Sequence, residues 1–314
     1  MPRVSIVIPN FNHGRFLEKR ILSVRNQTYQ DFEVIYLDDA STDDSDQVIG
    51  KHLCDSRIRV IRNEANSGSP CQQWNKGVRL AKGEYVWIAE SDDYADEKFL
   101  ATLVQVMDDN PTVGLAYCQS TRVDEEDCPL TATEDFLRGE GHWSNNFVND
   151  GKEECRSYLA SRNTIPNASA VLIRRRAYEE AGYADETMRL CGDWLMWIKI
   201  LLVSDVAFVA ERLNYYRTNA NSVRYQTSHR GTYHEEAYQV VRYAMEKISI
   251  PTEALEETCQ TLAGGWVSSI VRRRTLRPWR QTRMIYRNAS AVDHRLKSRL
   301  IKNVASTIAQ SFYA

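Results

Sequence analysis

Two pairs of carboxylates define the chemistry open to this chain. Asp38-Asp39 closes one apolar run inside Tyr36-Leu37-Asp38-Asp39-Ala40-Ser41, and Asp92-Asp93 follows another inside Glu90-Ser91-Asp92-Asp93-Tyr94. Carboxylate oxygens suit hard cations such as Mg²⁺ and Mn²⁺, which commonly complete their coordination with substrate phosphate oxygens. A diphosphate leaving group gathers negative charge as its bond breaks, and a cation held by one or two Asp neutralises that charge. Each pair also has a plainer explanation, because Asp favours turns and helix N-caps. Two pairs at the ends of two strands of one sheet are less easily explained so.

The elements that must hold these pairs alternate along the first 120 residues. Strands are expected at Val4–Ile8, Phe32–Leu37, Arg57–Ile61, Tyr85–Ala89 and Val113–Tyr117. Between them lie an amphipathic stretch with Phe16, Leu17, Ile21 and Val24, then helices over Asp43–Leu53, Cys71–Leu80 and Asp96–Met107. This alternation predicts an α/β fold, a mostly parallel sheet with helices on both faces. Ligands of such sheets collect beyond the carboxyl ends of the strands, where both acidic pairs fall. From about Ser120 to Asp150 the pattern dissolves. It resumes with a strand at Ala168–Ile173, helices at Arg175–Ala181 and Asp193–Val203, and strands at Val206–Val209 and Leu213–Tyr216. From about Thr232 the chain reads as helical. The expected organisation is a catalytic domain over 1–228, its nucleotide half about 1–118 and its acceptor half about 119–228, with a helical region over 229–314.

The 314 residues are 43% apolar and 26% charged, which excludes a disordered or fibrous chain. No apolar run approaches the ~20 residues of a membrane span. The first apolar stretch stops at Pro9-Asn10, too early for a secretory signal. Seven scattered cysteines without a Cys-x-x-Cys pair argue for reduced thiols in a cytoplasmic protein. The net charge of −2 conceals a segregation, because the segment from Arg272 to Lys302 holds eleven Lys and Arg and one acid, Asp293. Trp279, Met284, Ile285, Leu296 and Ile301 interleave with those charges, and Pro278 is expected to divide two helices. A basic amphipathic segment with Trp suits an anionic membrane surface, placing the protein peripherally on the inner face of the cell membrane. A solvated helical face or an acidic partner are the alternatives. No nucleic-acid module accompanies the charge, so no nucleic-acid partner is expected.

A series of short motifs, in order, gives a more specific reading. Val4-Ser5-Ile6-Val7-Ile8-Pro9-Asn10-Phe11-Asn12, Ser23-Val24-Arg25-Asn26-Gln27-Thr28, Asp38-Asp39-Ala40-Ser41-Thr42-Asp43, Asn66-Ser67-Gly68, Trp74-Asn75-Lys76-Gly77 and Ser91-Asp92-Asp93 follow one another at family spacing. Over roughly residues 3–225 the chain resembles the family 2 glycosyltransferases, inverting enzymes of GT-A fold. Ala40 stands where that family usually has Gly.

The resemblance implies roles residue by residue. Asp39 would accept the base N–H of a nucleotide-sugar donor, most simply a UDP-sugar, with Pro9, Asn10, Phe11 and Asn12 lining the base pocket. Asn66, Gly68 and Asn75 belong to the same nucleotide side, although Asn10 and Asn75 can equally cap helices. Asp92 would lie near ribose and sugar, and Asp93, with Asp92, would hold the divalent cation. Inverting transfer needs a carboxylate to take the acceptor hydroxyl's proton. Leu190-Cys191-Gly192-Asp193-Trp194-Leu195-Met196-Trp197 resembles the family's base segment, which gives that role to Asp193. Trp194 and Trp197 are core or acceptor-wall residues. Tyr216-Arg217-Thr218-Asn219 departs from the family in having Asn219 for a His, leaving Arg217 and Arg224 to neutralise phosphates. The acceptor implied is a glycan or polyprenyl-linked glycan of bacterial cell-surface polysaccharide assembly. A nucleotidyltransferase of similar fold lacks its Gly-rich basic loop after the first strand. A non-catalytic sugar-binding subunit has no need to retain Asp39, Asp93 and Asp193 together.

Overall fold

The computed structural model describes residues 1–130, 141–165, 167–218, 232–271 and 279–312. Its sheet contains β1 (Val4–Asn10), β2 (Phe32–Asp38), β3 (Ile58–Arg62), β4 (Tyr85–Ile88), β5 (Tyr94–Ala95), β6 (Val113–Val123), β7 (Phe147–Asn149), β8 (Val171–Arg174) and β9 (Asp205–Arg217). They run in the order β3-β2-β1-β4-β8-β6-β9-β5, with β7 paired to β9. The β3-β2-β1-β4 part of the sheet is parallel throughout. Beyond it β8 runs antiparallel between β4 and β6, and β6 and β9 are parallel to each other. The sheet is therefore parallel on one side and mixed on the other.

Period-two alternation sorts β1 between two cores. Val4, Ile6 and Ile8 join Leu17, Ile21 and Val24 of α1 (Gly14–Arg25) and Leu100 and Leu103 of α4 (Phe99–Asp109) on one face. Val7 faces Trp74 and Val78 of α3 (Pro70–Leu80) on the other. Ser5, which interrupts the apolar run, donates its Oγ proton to Glu33 at 2.7 Å and accepts from the Gly83 amide at 2.8 Å. The β2–β3 crossover contains the short α2 (Ser45–Gly50). The second core also receives α6 (Arg175–Glu180) and α7 (Gly192–Leu201), together with side chains of α8 (Thr232–Lys247), α9 (Thr252–Val271), α10 (Trp279–Val292) and α11 (Leu296–Phe312). A four-residue α5 (Gly151–Glu154) runs on into a π-turn at Cys155–Leu159.

Three expectations shift. β6 continues to Val123, because its hydrogen-bonded partner β9 continues beside it. The two expected strands at 206–216 are one, with register irregularities near Cys118–Ser120 where polar Glu211-Arg212 crosses. The strand expected from Ala168 starts at Val171, after a 3₁₀ turn at Ala168–Ala170. Pro278 lies outside the described residues; α9 ends before it and α10 begins after it. Among the described residues no helix is long and apolar enough to cross a membrane, and all seven cysteines are free thiols.

Candidate active site

Parallel register brings the ends of β1, β2 and β4 to one edge. Asn10 pairs with Asp38, the Asp39 amide donates to the Asn10 carbonyl at 2.8 Å, and the Ala89 amide donates to the Val7 carbonyl at 2.8 Å. Both acidic pairs leave the sheet there, as expected, but their surroundings differ.

At the end of β2 the polar groups satisfy one another. Buried Asp39 accepts from Asn63 Nδ2 at 2.5 Å, Gln73 Nε2 at 2.9 Å, Ser67 N at 3.0 Å and Ser67 Oγ at 2.7 Å. Those donors use the carboxylate's acceptor capacity, so the expected direct bond to a base N–H is already taken by the chain. Asp39 instead braces the loop of Asn66 and Gly68: Asn66 Nδ2 donates to the Asp39 carbonyl at 3.2 Å, and Gly68 turns at φ +68. Asn10 is buried, and its Nδ2 donates to Ser41 Oγ at 3.1 Å and Ser45 Oγ at 3.0 Å. The Asn12 amide donates to Ser41 Oγ at 3.0 Å, and Asn12 Oδ1 accepts from the Thr42 amide at 2.7 Å. Pro9 is buried within β1, which leaves Phe11, 44% exposed, as the open surface of that loop. Ala40 holds φ +64, a conformation that glycine adopts without strain.

Asn75 departs from its expected ligand role. It is 1% exposed; its Nδ2 donates to the Ala184 carbonyl and Glu186, and its Oδ1 accepts from Tyr178 OH and the Ala184 amide, at 2.8–3.0 Å. With both amide ends engaged, it rivets α3 to the loop before α7. Arg217 departs likewise. Its Nε donates to the Asp92 carbonyl at 2.7 Å, one terminal nitrogen to the Asp124 carbonyl at 2.7 Å and the other to Asp127, while Phe16 lies under its guanidinium. It is 4% exposed, and each of its three guanidinium nitrogens donates to the chain. Arg224 and Asn219 lie outside the described residues.

At the end of β4 charge accumulates. Asp93 is buried, accepts from Asn167 Nδ2 at 2.9 Å, Ser169 Oγ at 2.7 Å and the Arg217 amide at 2.9 Å, and so points inward. Burial, then the charge of Asp92, raises its pKa. Partly buried Asp92 is the more open member of the pair. Glu90 accepts from the Trp74 indole N–H at 2.7 Å; burial, then Asp92, pushes its carboxyl up to about 8. Beneath the group lies Arg20, fully buried, its Nε donating to the Glu90 carbonyl at 2.8 Å. Its two terminal nitrogens find no hydrogen-bond partner among the described residues. Burial lowers Arg20 to about 10 against the opposing charges of Asp93, Asp92 and Glu90. His13 closes the rim, its Nδ1 2.9 Å from Ser91 Oγ. Sequence reading passed over Arg20 and Glu90; the polar Arg20 on the otherwise apolar face of α1 was the available signal.

Among the described residues no three His, Cys, Asp or Glu side chains form a cation cage. A cation of the Mg²⁺ or Mn²⁺ type needs only one or two carboxylates beside substrate phosphates, and Asp92 backed by Asp93 fits that requirement. Burial first, and the charge of Asp92 second, raise the Glu90 and Asp93 carboxyls, against the opposing pull of Arg20.

Asp193 stands in the first turn of α7. Its Oδ1 accepts from the Trp194 amide at 2.6 Å and its Oδ2 from Asn163 Nδ2 at 3.2 Å. Gly192 permits the approach, since a Cβ there would lie 2.5 Å from Cys71 Sγ at the start of α3. Burial raises the Cys71 thiol, with Asp193 and then Glu90 adding to the shift, so both acids act on this one side chain. Trp194 and Trp197 are core residues, their indole N–H groups donating to the Leu159 carbonyl at 2.6 Å and the Ile165 carbonyl at 3.0 Å. Trp197 stacks on Trp74, which carries the contact on to Glu90.

Comparisons with known proteins give the family and the fold. Over 235 residues the chain is 28% identical to glycosyltransferase GlyG of Streptococcus pneumoniae, covering 70% of this chain and 72% of that protein. It is 37% identical over 106 residues, 33% of this chain and 34% of the relative, to the GalNAc(5)-diNAcBac-PP-undecaprenol beta-1,3-glucosyltransferase of Campylobacter jejuni. In fold it matches Staphylococcus aureus TarS 1-349 in complex with UDP-GlcNAc, with TM-score 0.65 and 17% identity, covering 97% of this chain and 89% of the other. It also matches the mannosyltransferase PcManGT of Pyrobaculum calidifontis in complex with GDP-Man and Mn²⁺, with TM-score 0.61 and 14% identity, covering 99% and 87%. These neighbours share the GT-A fold. The Glycosyl transferase family 2 description matches residues 5–182, more than half the chain, and the protein belongs to that family.

Proposed function

We propose that this transferase is a divalent-cation-dependent, inverting enzyme that moves a sugar from a UDP-sugar to an acceptor hydroxyl. The observation that carries the reading is the crowding of Glu90, Asp92 and Asp93 at one strand end, joined to the helix of Asp193 by the Trp74–Glu90 hydrogen bond and the Trp74–Trp197 stack. The UDP-GlcNAc complex of TarS favours a UDP donor, and the undecaprenol-linked substrate in the name of the Campylobacter relative favours a polyprenyl-linked glycan acceptor. Such an acceptor fits cell-surface polysaccharide assembly.

Phe11 and the 9–12 loop border the base, and Asp39 acts through the Asn63–Ser67 loop it braces. Asp92, backed by Asp93, holds the cation, which when bound neutralises the diphosphate. Asp193 takes the proton of the acceptor hydroxyl. The acceptor oxygen bonds to the anomeric carbon from the face opposite the diphosphate, the carbon–oxygen bond to UDP breaks, and the configuration inverts. Asn163 and the Trp194 amide hold the Asp193 carboxylate in register for that proton. The catalytic unit is residues 1–228, with 229–314 a helical region. Exposed Trp279, Met284 and Ile301 beside Arg280, Arg283 and Lys302 favour peripheral attachment to an anionic cytoplasmic membrane face. The test is UDP release from UDP-GlcNAc with Mn²⁺. Loss on EDTA and in Asp193→Asn is expected, and turnover unchanged in both would refute the mechanism. Sedimentation with anionic liposomes, lost on removing residues after Val271, tests the attachment.

A further inference from the structure

α8 lies in the helical region beyond the last strand, yet it sends one carboxylate into the loop before α7. Glu236 is 6% exposed and has no cation within ion-pairing distance among the described residues. Its Oε1 accepts from the Arg189 amide at 2.8 Å, and its Oε2 accepts from the Leu190 and Cys191 amides, each at 2.8 Å. Three successive backbone N–H groups thus converge on one buried anion, immediately before the helix that begins at Gly192 and carries Asp193. Cys191, the N-cap of α7, offers no side-chain cap of its own. The N-cap amide of Cys191 and the two amides before it, at the positive end of the helix dipole, are served by a residue 45 positions downstream of Cys191.

We propose that Glu236 is the positioning residue for the catalytic base: it fixes the 189–191 backbone, and through it the place of Asp193 at the end of α7. Buried charge-assisted hydrogen bonds to backbone are short, directional and strong, which is what holding a proton acceptor to within a fraction of an ångström requires. A neutral side chain of the same shape is not equivalent. Gln would offer one acceptor oxygen and turn an NH₂ group toward an N–H. The helical region is on this account part of the catalytic apparatus.

The inference rests on Asp193 being the base, and the experiment separates the two. In the full chain, Glu236→Gln, Glu236→Ala and Asp193→Asn are compared in UDP release from UDP-GlcNAc with Mn²⁺, and in amide hydrogen exchange over 188–193. Glu246→Gln, which alters only an exposed pair with Arg242 on the same helix, is the control. Glu236→Gln is expected to lower kcat by about 10- to 100-fold with donor KM within about twofold, to speed exchange at 189–191, and to leave UDP affinity unchanged. Normal kcat in both Glu236 variants beside an inactive Asp193→Asn overturns the positioning role alone. A loss expressed in KM or UDP affinity overturns it too, because that marks a general structural role. Slow exchange at 189–191 persisting in Glu236→Gln overturns it without any turnover assay, and Glu236→Gln serves where the alanine variant does not fold. Full turnover by Asp193→Asn refutes the base and, with it, the residue said to position it.

Discussion

The two Asp-Asp pairs end neighbouring stretches of one sheet and are nearly identical in sequence, yet they obey opposite physics. At β2 every acceptor of Asp39 meets a donor of the chain, and Asn10 ties the next loop to the strand. At β4 the acids face one another, two of them with raised pKa, and a buried Arg20 answers them with only one of its nitrogens bonded. A saturated network stabilises and shapes; a cluster left in electrostatic conflict becomes comfortable only when a ligand arrives. The first pair therefore reads as a cradle, and the proposal makes the second the reaction site.

The sharpest way to break that division is Asp193→Asn, on the reaction side. It removes the proton acceptor while keeping its shape, and should cost about 10²- to 10⁴-fold in turnover with little change in melting temperature. Comparable loss of stability would place Asp193 on the cradle side. Asn75→Ala is the converse. Removing four buried hydrogen bonds should destabilise the fold by about 2–3 kcal/mol, read by denaturant melts, with UDP affinity at saturating Mn²⁺ nearly intact. If affinity falls and stability does not, Asn75 is a ligand residue after all.

Smaller effects sharpen the contrast. Ala40 holds a left-handed φ of +64, so Ala40→Gly relieves strain and should stabilise the β2 loop, net of the chain entropy that glycine adds, by at most about 1 kcal/mol. A lowered melting temperature would show that the turn is not strained. Asp55 is the reference away from both clusters, its side chain 9% exposed and its carboxyl held at about 2 chiefly by its hydrogen bond from Arg57. A depressed carboxyl contributes stability above its unfolded pKa of about 4 and loses it as pH falls through 2. Asp55→Asn should lower the melting temperature by no more than about 2 °C at pH 7 and by nothing near pH 2. A larger effect would mean that this partly buried pair is screened less than a surface pair.

Much of this was readable from the sequence, for definite reasons. Strand and helix alternation located both acidic pairs at the same edge, because parallel strands put their carboxyl ends together. Asp193 was found from the motif around it, at a helix start. What escaped was direction. Asn75 and Arg217 sit in matching motifs, but whether their side chains face ligand or protein depends on Ala184, Asp124 and Asp127, which only the folded chain brings near. Asn167 and Ser169, at the start of the strand expected over Ala168–Ile173, prove to be the partners of Asp93. Glu236 had no local signal at all, since its three donors lie on a loop far upstream. The basic segment at 272–302 was plain in composition, yet the same helices bury Ile285, Ala289, Val292 and Leu296 in the second core.

Calorimetric titration with UDP decides whether the β4 cluster takes a divalent cation together with a nucleotide diphosphate. With Mn²⁺ present the protein should bind UDP, and EDTA or Asp92→Ala should weaken binding by at least about tenfold. Equal UDP affinity with Mn²⁺, with EDTA and in Asp92→Ala would contradict the account.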